Sequence, residues 1–176
     1  MGLKVMGMKI IDNFLDDEFS KKLEDELINS NFPWYCMNNI TSDDNDNFAF
    51  FHQFVEDTKI NSDKYNDLVL PLINEIINQK LINIDYKCER IKANLYTNQT
   101  KQIKHNFHID TKESHIVALY CVNTNNGYTE LKTGEKIISK RNRLAIFDGQ
   151  IQHKSVTQTD TKYRLNYNLN FLVSGT

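Results

Sequence analysis

From Tyr86 to Leu172 the chain is divided by turn residues into short segments of strand character, and this texture restricts its fold more than any other feature. Eight segments read as strands: ERIKANLY, QIKHNFHID, HIVALYCV, YTELKT, EKIIS, RLAIFD, HKSVTQ and YRLNYNLNFL. NTNNGY is the clearest break between them and KTGEK a second, both rich in residues that tolerate tight turns. So many short strands in succession must close on themselves or pack as two sheets.

The first half differs. In DDEFSKKLEDELINS, Leu15, Phe19, Leu23 and Leu27 fall on one helical stripe, with Asp16 and Asp17 at the positive end of the dipole. In YNDLVLPLINEIINQ, Leu68, Leu72, Ile73, Ile76 and Ile77 recur at helical spacing, and Pro71 predicts that the helix begins or bends there. FPWYCMNNI and FAFFHQFVED read as strands joined by the polar loop TSDDNDN. The 176 residues suit one domain, 1–176, with helices and flanking strands over 1–85 and a β core over 86–172. The expected class is mainly β (α+β): a jelly roll with the N-terminal helices packed on one sheet.

Composition excludes some functions. A net charge of −2, with no stripe of Lys and Arg, argues against duplex nucleic acid as a partner. Three cysteines without a CxxC pair read as reduced thiols, and the N-terminus lacks the apolar core of a secretion signal. Met6 stands where N-myristoylation needs Ser or Thr, and the longest apolar run, IVALYCV, is far too short for a membrane span. The expected location is the cytoplasm, without a membrane partner.

The chemistry-bearing residues lie in the strand-rich half. In an extended NFHID, His108 and Asp110 project to the same side. Two imidazoles and a carboxylate on one face of a metal leave further positions open, as suits non-haem Fe(II). His153 is the candidate third ligand, with His52, His105 and His115 also present. His105 and His115 read as structural or surface positions, and His52 as a core histidine or part of a pocket mouth. In YRLNYNLNFL, strict alternation puts Arg164, Asn166, Asn168 and Asn170 on one face and Leu165, Tyr167, Leu169 and Phe171 on the other. The polar face is either solvated, on an edge strand, or the lining of a cavity. In a cavity, the Arg164 guanidinium would grip a carboxylate bidentately, and beside an iron site that implies a keto-acid cosubstrate.

On these residues the chain resembles the Fe(II)/2-oxoglutarate-dependent oxygenase superfamily, most nearly the prolyl-4-hydroxylase-like branch and its small phage-type members. The H-x-D pair is followed by a distal His after 43 residues and an Arg after a further 11, in the order and at the spacing of that family. The connecting text, NNGYTELKTGEKIISKRNRLAIFDGQIQH, is similar to the family's Gly-rich turn, Thr-containing strand, basic turn and apolar strand. The resemblance implies a double-stranded β-helix (a cupin-like jelly roll), with His108, Asp110 and His153 as metal ligands and catalytic residues. It implies Arg164 on the distal carboxylate of 2-oxoglutarate, with Asn94 and Tyr96 of NLY, and Asn166, as further cosubstrate contacts. Implied cofactors are Fe(II), 2-oxoglutarate and O2, with ascorbate as an accompanying reductant. The alkylated-base demethylases of this superfamily carry a second Arg where this chain has Asn170, which sets it apart from them.

The expected reaction couples decarboxylation of 2-oxoglutarate to succinate and CO2 with hydroxylation of a second substrate, a prolyl residue of a protein or peptide or a small metabolite. The competing readings are a cupin-type metalloenzyme that uses no 2-oxoglutarate, a nucleic-acid oxidative demethylase, and a binding module without turnover. Trp34, Tyr35, the acidic segment Asp43 to Asp46 and Phe48 to Phe51 either shape the substrate entrance or are core aromatics beside a solvated loop. The sequence does not indicate an oligomeric state.

Overall fold

The computed structural model describes residues 7–38, 48–82 and 87–173. The predicted loop TSDDNDN and its acidic residues lie outside the described residues, as do Asn39 and Ile40 at the end of FPWYCMNNI.

Eleven strands and three helices follow one another along the described chain. The first half holds β1 (Lys9–Asp12), α1 (Asp17–Leu27), β2 (Tyr35–Met37), β3 (Ala49–Glu56), β4 (Lys59–Ile60), α2 (Tyr65–Leu68) and α3 (Leu70–Asn78). The second holds β5 (Lys87–Thr97), β6 (His115–Cys121), β7 (Tyr128–Leu131), β8 (Lys136–Ile138), β9 (Arg143–Asp148), β10 (His153–Val156) and β11 (Tyr163–Leu172). The larger sheet runs β1-β9-β6-β11-β5-β3-β2, with β4 against β3, and the smaller runs β10-β7-β8. Every pairing is antiparallel. This is the expected jelly roll, with helices on one sheet.

Side-chain parity on β6 and β11 separates two apolar layers. Ile116, Ala118 and Tyr120, with Leu165, Tyr167, Leu169 and Phe171, join a core with Leu23, Leu27, Leu68, Leu72 and Ile76 of the helices. Val117, Leu119 and Cys121 face the other way and pack with Leu131, Ile137, Ala145 and Phe147, between the sheets. The helices therefore seal the outer face of the larger sheet, and its inner face is free to build a cavity.

Asp16 caps α1 by accepting the Phe19 N–H at 2.8 Å. The second predicted helix divides into α2 and α3 at Val69, and Pro71 takes an initial position of α3, where its missing N–H costs nothing. QIKHNFHID departs from the expectation of a continuous strand: it touches β10 only through bridges Lys104↔Val156 and His108↔His153. One side takes one more residue than the other between those bridges, so the segment bulges, which interrupts the ladder while bringing His108 opposite His153. β1 and β4 carry no sequence signal beyond their length, and neither was expected.

Asn142, at φ 61°, joins α1 to the turn before β9. Its Oδ1 accepts from the Leu15 N–H at 2.8 Å and from the Tyr120 hydroxyl at 3.2 Å, and its Nδ2 donates to the Leu15 carbonyl at 2.7 Å. Asn142→Ala strands these buried groups and forfeits a residue that tolerates a left-handed backbone. The expected loss is about 2–3 kcal/mol in a urea titration; a loss under about 0.5 kcal/mol would mean that the contacts are dispensable.

Candidate active site

His108 and His153 face each other across a closely bonded pair: His108 N donates to His153 O at 3.0 Å and His153 N to His108 O at 2.9 Å. Their rings lie 4.8 Å apart, centroid to centroid. In each, Nδ1 faces a backbone carbonyl two residues back, Asn106 O at 3.3 Å and Ile151 O at 3.2 Å. A carbonyl can only accept, so Nδ1 carries the proton and Nε2 presents its lone pair to the cavity. The Asp110 carboxylate lies 3.7 Å from each Nε2, through Oδ1 to His108 and Oδ2 to His153. The ligating atoms of His108, Asp110 and His153 all fall within 4.8 Å of one another. Two imidazole nitrogens and a carboxylate oxygen at that spacing fit a six-coordinate divalent iron with open positions.

The carboxylate is held from behind. Arg90 places Nη2 2.7 Å from Oδ1, and Asn168 Nδ2 donates to Oδ2 at 3.0 Å. Burial alone would raise the Asp110 pKa; Arg90 leads His153, Asn168 and His108 in holding it well below the usual carboxylate range. Burial lowers the pKa of His153, partly opposed by Asp110, which favours the neutral, ligating imidazole.

A polar ladder runs from this triad into the protein. β11 and β5 pair Arg164↔Tyr96, Asn166↔Asn94, Asn168↔Lys92 and Asn170↔Arg90, and directly paired residues share a face. The cavity between the sheets, about 500 Å³ with its open mouth, is lined by His108, Asp110, His153 and the ladder residues Lys92, Asn94, Tyr96, Asn166 and Asn168. Asn94 Nδ2 donates to Asn166 Oδ1 at 2.9 Å, bracing the second rung. At the deep end Arg164 is 1% exposed. Its Nε donates to Ser139 Oγ at 2.8 Å and its Nη2 to Thr129 Oγ1 at 3.0 Å, while Nη1 has no hydrogen-bond partner. The guanidinium lies over the Tyr96 ring, 5.2 Å from its centroid. No carboxylate among the described residues forms an ion pair with it. A buried cation with an unused donor is costly, and a ligand carboxylate would relieve both defects.

His108, Asp110, His153, Asn94, Tyr96 and Asn166 line one cavity, and Arg164 adjoins it behind Thr129 and Tyr96. The other histidines are placed elsewhere. His52 bonds Pro33 O and Ser62 Oγ, both at 2.8 Å, within the aromatic core. His105 stacks on Tyr96. His115 packs against Gly149, where a Cβ would lie 2.1 Å from its Nε2. Of the proposed entrance aromatics, Trp34 is pinned in the core through Nε1 to Leu27 O at 2.9 Å, whereas Tyr35 and Phe48 are exposed.

Arg90, Lys92, Thr129, Ser139 and Gly127 were not anticipated. The first two had a signal: the alternation in ERIKANLY that marks Asn94 and Tyr96 extends back through them. Burial and the Arg90 charge lower the pKa of the Lys92 ammonium to about 8, with Asp110 partly opposing. Gly127 supports Arg164 by its smallness, since a Cβ there would lie 2.7 Å from Arg164 Cδ and 2.9 Å from Val156 O. Gly127→Ala must therefore shift the guanidinium. Its expected effect is a roughly tenfold or greater loss of affinity for a dicarboxylate ligand, read by calorimetry; an unchanged affinity would show that Arg164 tolerates displacement.

No protein-family model matches the sequence, and comparison with curated proteins finds no match. Solved structures share the fold. A 2OG-Fe(II) oxygenase-family oxidoreductase from Burkholderia pseudomallei superposes with a TM-score of 0.72 at 8% identity, over 96% of this chain and 86% of that one. A prolyl hydroxylase from Trichoplax adhaerens, in complex with a hypoxia-inducible-factor oxygen-degradation-domain peptide, gives 0.67 at 15% identity over 96% and 84%. The viral collagen prolyl hydroxylase from Paramecium Bursaria Chlorella virus-1, in its 2OG complex, gives 0.63 at 14% identity over 98% and 100%. The chain has the jelly-roll fold of the 2-oxoglutarate/Fe(II) oxygenases, prolyl-4-hydroxylase-like structures among them. Among the described residues, no helix is long and apolar enough to cross a membrane.

Proposed function

We propose that this protein is an Fe(II)- and 2-oxoglutarate-dependent dioxygenase that hydroxylates a small-molecule or peptide substrate. The observation that carries the reading is one ladder with a His/Asp/His cluster at one end and a buried guanidinium without a carboxylate partner at the other. When bound, the iron would supply the redox chemistry by which O2 and 2-oxoglutarate become succinate, CO2 and the hydroxyl group of the product.

The chain's own residues do the rest. His108 and His153 present fixed Nε2 lone pairs because their Nδ1 protons are engaged. Asp110 is kept ionised and oriented by Arg90 and Asn168. Arg164 would anchor the distal carboxylate, with Ser139 and Thr129 fixing the guanidinium and Tyr96 covering it. Asn94 and Asn166 would flank the body of the cosubstrate, and Phe147, Val117 and Leu119 add apolar surface to a wall that also carries Thr129 and Ser155. Ascorbate would serve to keep the iron reduced.

The test compares ligands that differ only at the far end. Protein loaded with manganese(II) is titrated in a calorimeter with 2-oxoglutarate and with 2-oxovalerate, which lacks the distal carboxylate. The expected preference for 2-oxoglutarate is roughly a hundredfold, from the two charge-assisted bonds a guanidinium can make. Equal binding, or none, would remove the cosubstrate assignment and leave a metal-binding jelly roll of other chemistry.

A further inference from the structure

Lys92 has no role in the site described above, although it lines the same cavity. It stands on the third rung, opposite Asn168, the residue that holds Asp110. Among the described residues its ammonium makes no hydrogen bond or ion pair. It is not sealed off either: the side chain is half-buried and its tip opens on the cavity rather than being occluded.

Charge matching shows why that matters, on the proposed cofactor reading. A ferrous ion would be balanced by Asp110 and the near carboxylate of 2-oxoglutarate, and Arg164 by the far one. Arg90 already touches Asp110, and its far side borders a second recess whose rim carries Glu56, Asp57 and Glu89. Among the described residues Lys92 is then the cation in the loaded cavity left without a counter-ion, and an uncompensated charge in such a place is expensive. The cosubstrate is an unsuitable partner for it. Lys92 lies four residues along β5 from Tyr96, roughly 13 Å of strand from the rung that would grip the distal carboxylate.

We propose that Lys92 is a substrate-recognition residue that pairs with a carboxylate of the molecule to be hydroxylated, so that the substrate is a small free acid, such as an amino acid or another organic acid, rather than a mid-chain peptide residue. An ammonium suits the task, because a single point charge tolerates varied carboxylate orientations, where a guanidinium would demand a coplanar one. Met37, Val117 and Leu119 also line the cavity, giving it apolar surface for the carbon skeleton of such an acid.

The experiment uses propionate and propionamide, an acid and its neutral isostere, as probes. Each is titrated into full-length protein loaded with zinc(II) and 2-oxoglutarate and, separately, into metal-free protein, with affinity read by ligand-observed NMR. Wild type, Lys92→Met, Lys92→Arg and Arg164→Met are compared. The proposal expects propionate to bind at least about tenfold better than propionamide in the loaded wild type, a preference lost in Lys92→Met and largely restored in Lys92→Arg. Lys92→Met is expected to leave the affinity for 2-oxoglutarate within about threefold of wild type, since the change lies beyond that ligand. Equal binding of the two probes would overturn the proposal, as would propionate binding that survives Lys92→Met, because the acid would then sit on the metal. A loss of 2-oxoglutarate affinity in Lys92→Met as large as that in Arg164→Met would also overturn it, by assigning the lysine to the cosubstrate. If instead neither zinc nor 2-oxoglutarate binds, while the metal-free protein still prefers propionate through Lys92, the oxygenase reading fails and the anion site stands.

Discussion

Arg164→Met is expected to leave the metal-free protein about as stable as wild type, and to abolish its stabilisation by 2-oxoglutarate. The two halves of this result come from one fact. Arg164 is buried with two hydroxyl partners, no carboxylate and an idle Nη1, so without a ligand it is a desolvated charge that the fold tolerates at a cost. A methionine of similar length fills the space and removes the charge, offsetting the lost bonds to Ser139 and Thr129. Unfolding free energy should change by less than about 1 kcal/mol, in either direction. Metal-loaded wild type should gain about 2.7 kcal/mol at a 2-oxoglutarate concentration a hundred times its Kd, and the variant nothing at that concentration. A variant destabilised by several kcal/mol before any ligand is added would make Arg164 a structural residue.

Asp110→Asn should behave oppositely, weakening both the fold and the metal site. Among the described residues Asp110 is the acid in direct contact with Arg90, and its charge also acts on Lys92. An amide of the same shape leaves both cations facing a neutral group. The metal-free protein should lose about 1–3 kcal/mol, below the usual figure for a broken buried pair because Arg90 keeps partial access to solvent. Arg90→Met added to Asp110→Asn should recover most of that loss, the coupling expected of residues in contact. Metal affinity should fall by more than the roughly 10–100-fold typical of a lost supporting partner, and Arg90→Met should not restore it. Denaturant titration and metal calorimetry on the three variants check both statements. If the double variant is no more stable than Asp110→Asn, the ion pair is not what stabilises this corner.

The legibility of these features in the sequence follows from their range. β11 could be read in full, because one face meets the helices and the other a polar cavity, so its alternation has a strict period of two. β6 could not be oriented this way: HIVALYC is buried on both faces, and a continuous apolar run hides which residues point inward. The α2–α3 break was marked by Pro71. The bulge before His108 was not marked, since nothing in KHNFH distinguishes a bulged strand from a regular one, and only the register against β10 defines it. His153 stood out as the candidate third ligand through its spacing from Asp110 and Arg164, which is that of the family the chain resembles, whereas its local neighbours QHKSV are uninformative. Arg90 and Lys92 were visible as part of an alternating strand. Their contact with the site depends on β5 lying beside β11, a non-local pairing that no local pattern encodes.

Anaerobic titration of the metal-free protein with Fe(II) and then 2-oxoglutarate, followed in the visible spectrum, tests the central claim most directly. A keto acid that chelates ferrous iron through its keto oxygen and carboxylate gives a broad metal-to-ligand charge-transfer band, whereas iron or 2-oxoglutarate alone does not. The account predicts that the band grows to one equivalent of each in wild type, is lost in His153→Ala, and requires far more 2-oxoglutarate in Arg164→Met. Iron binding without that band at saturating 2-oxoglutarate would contradict it.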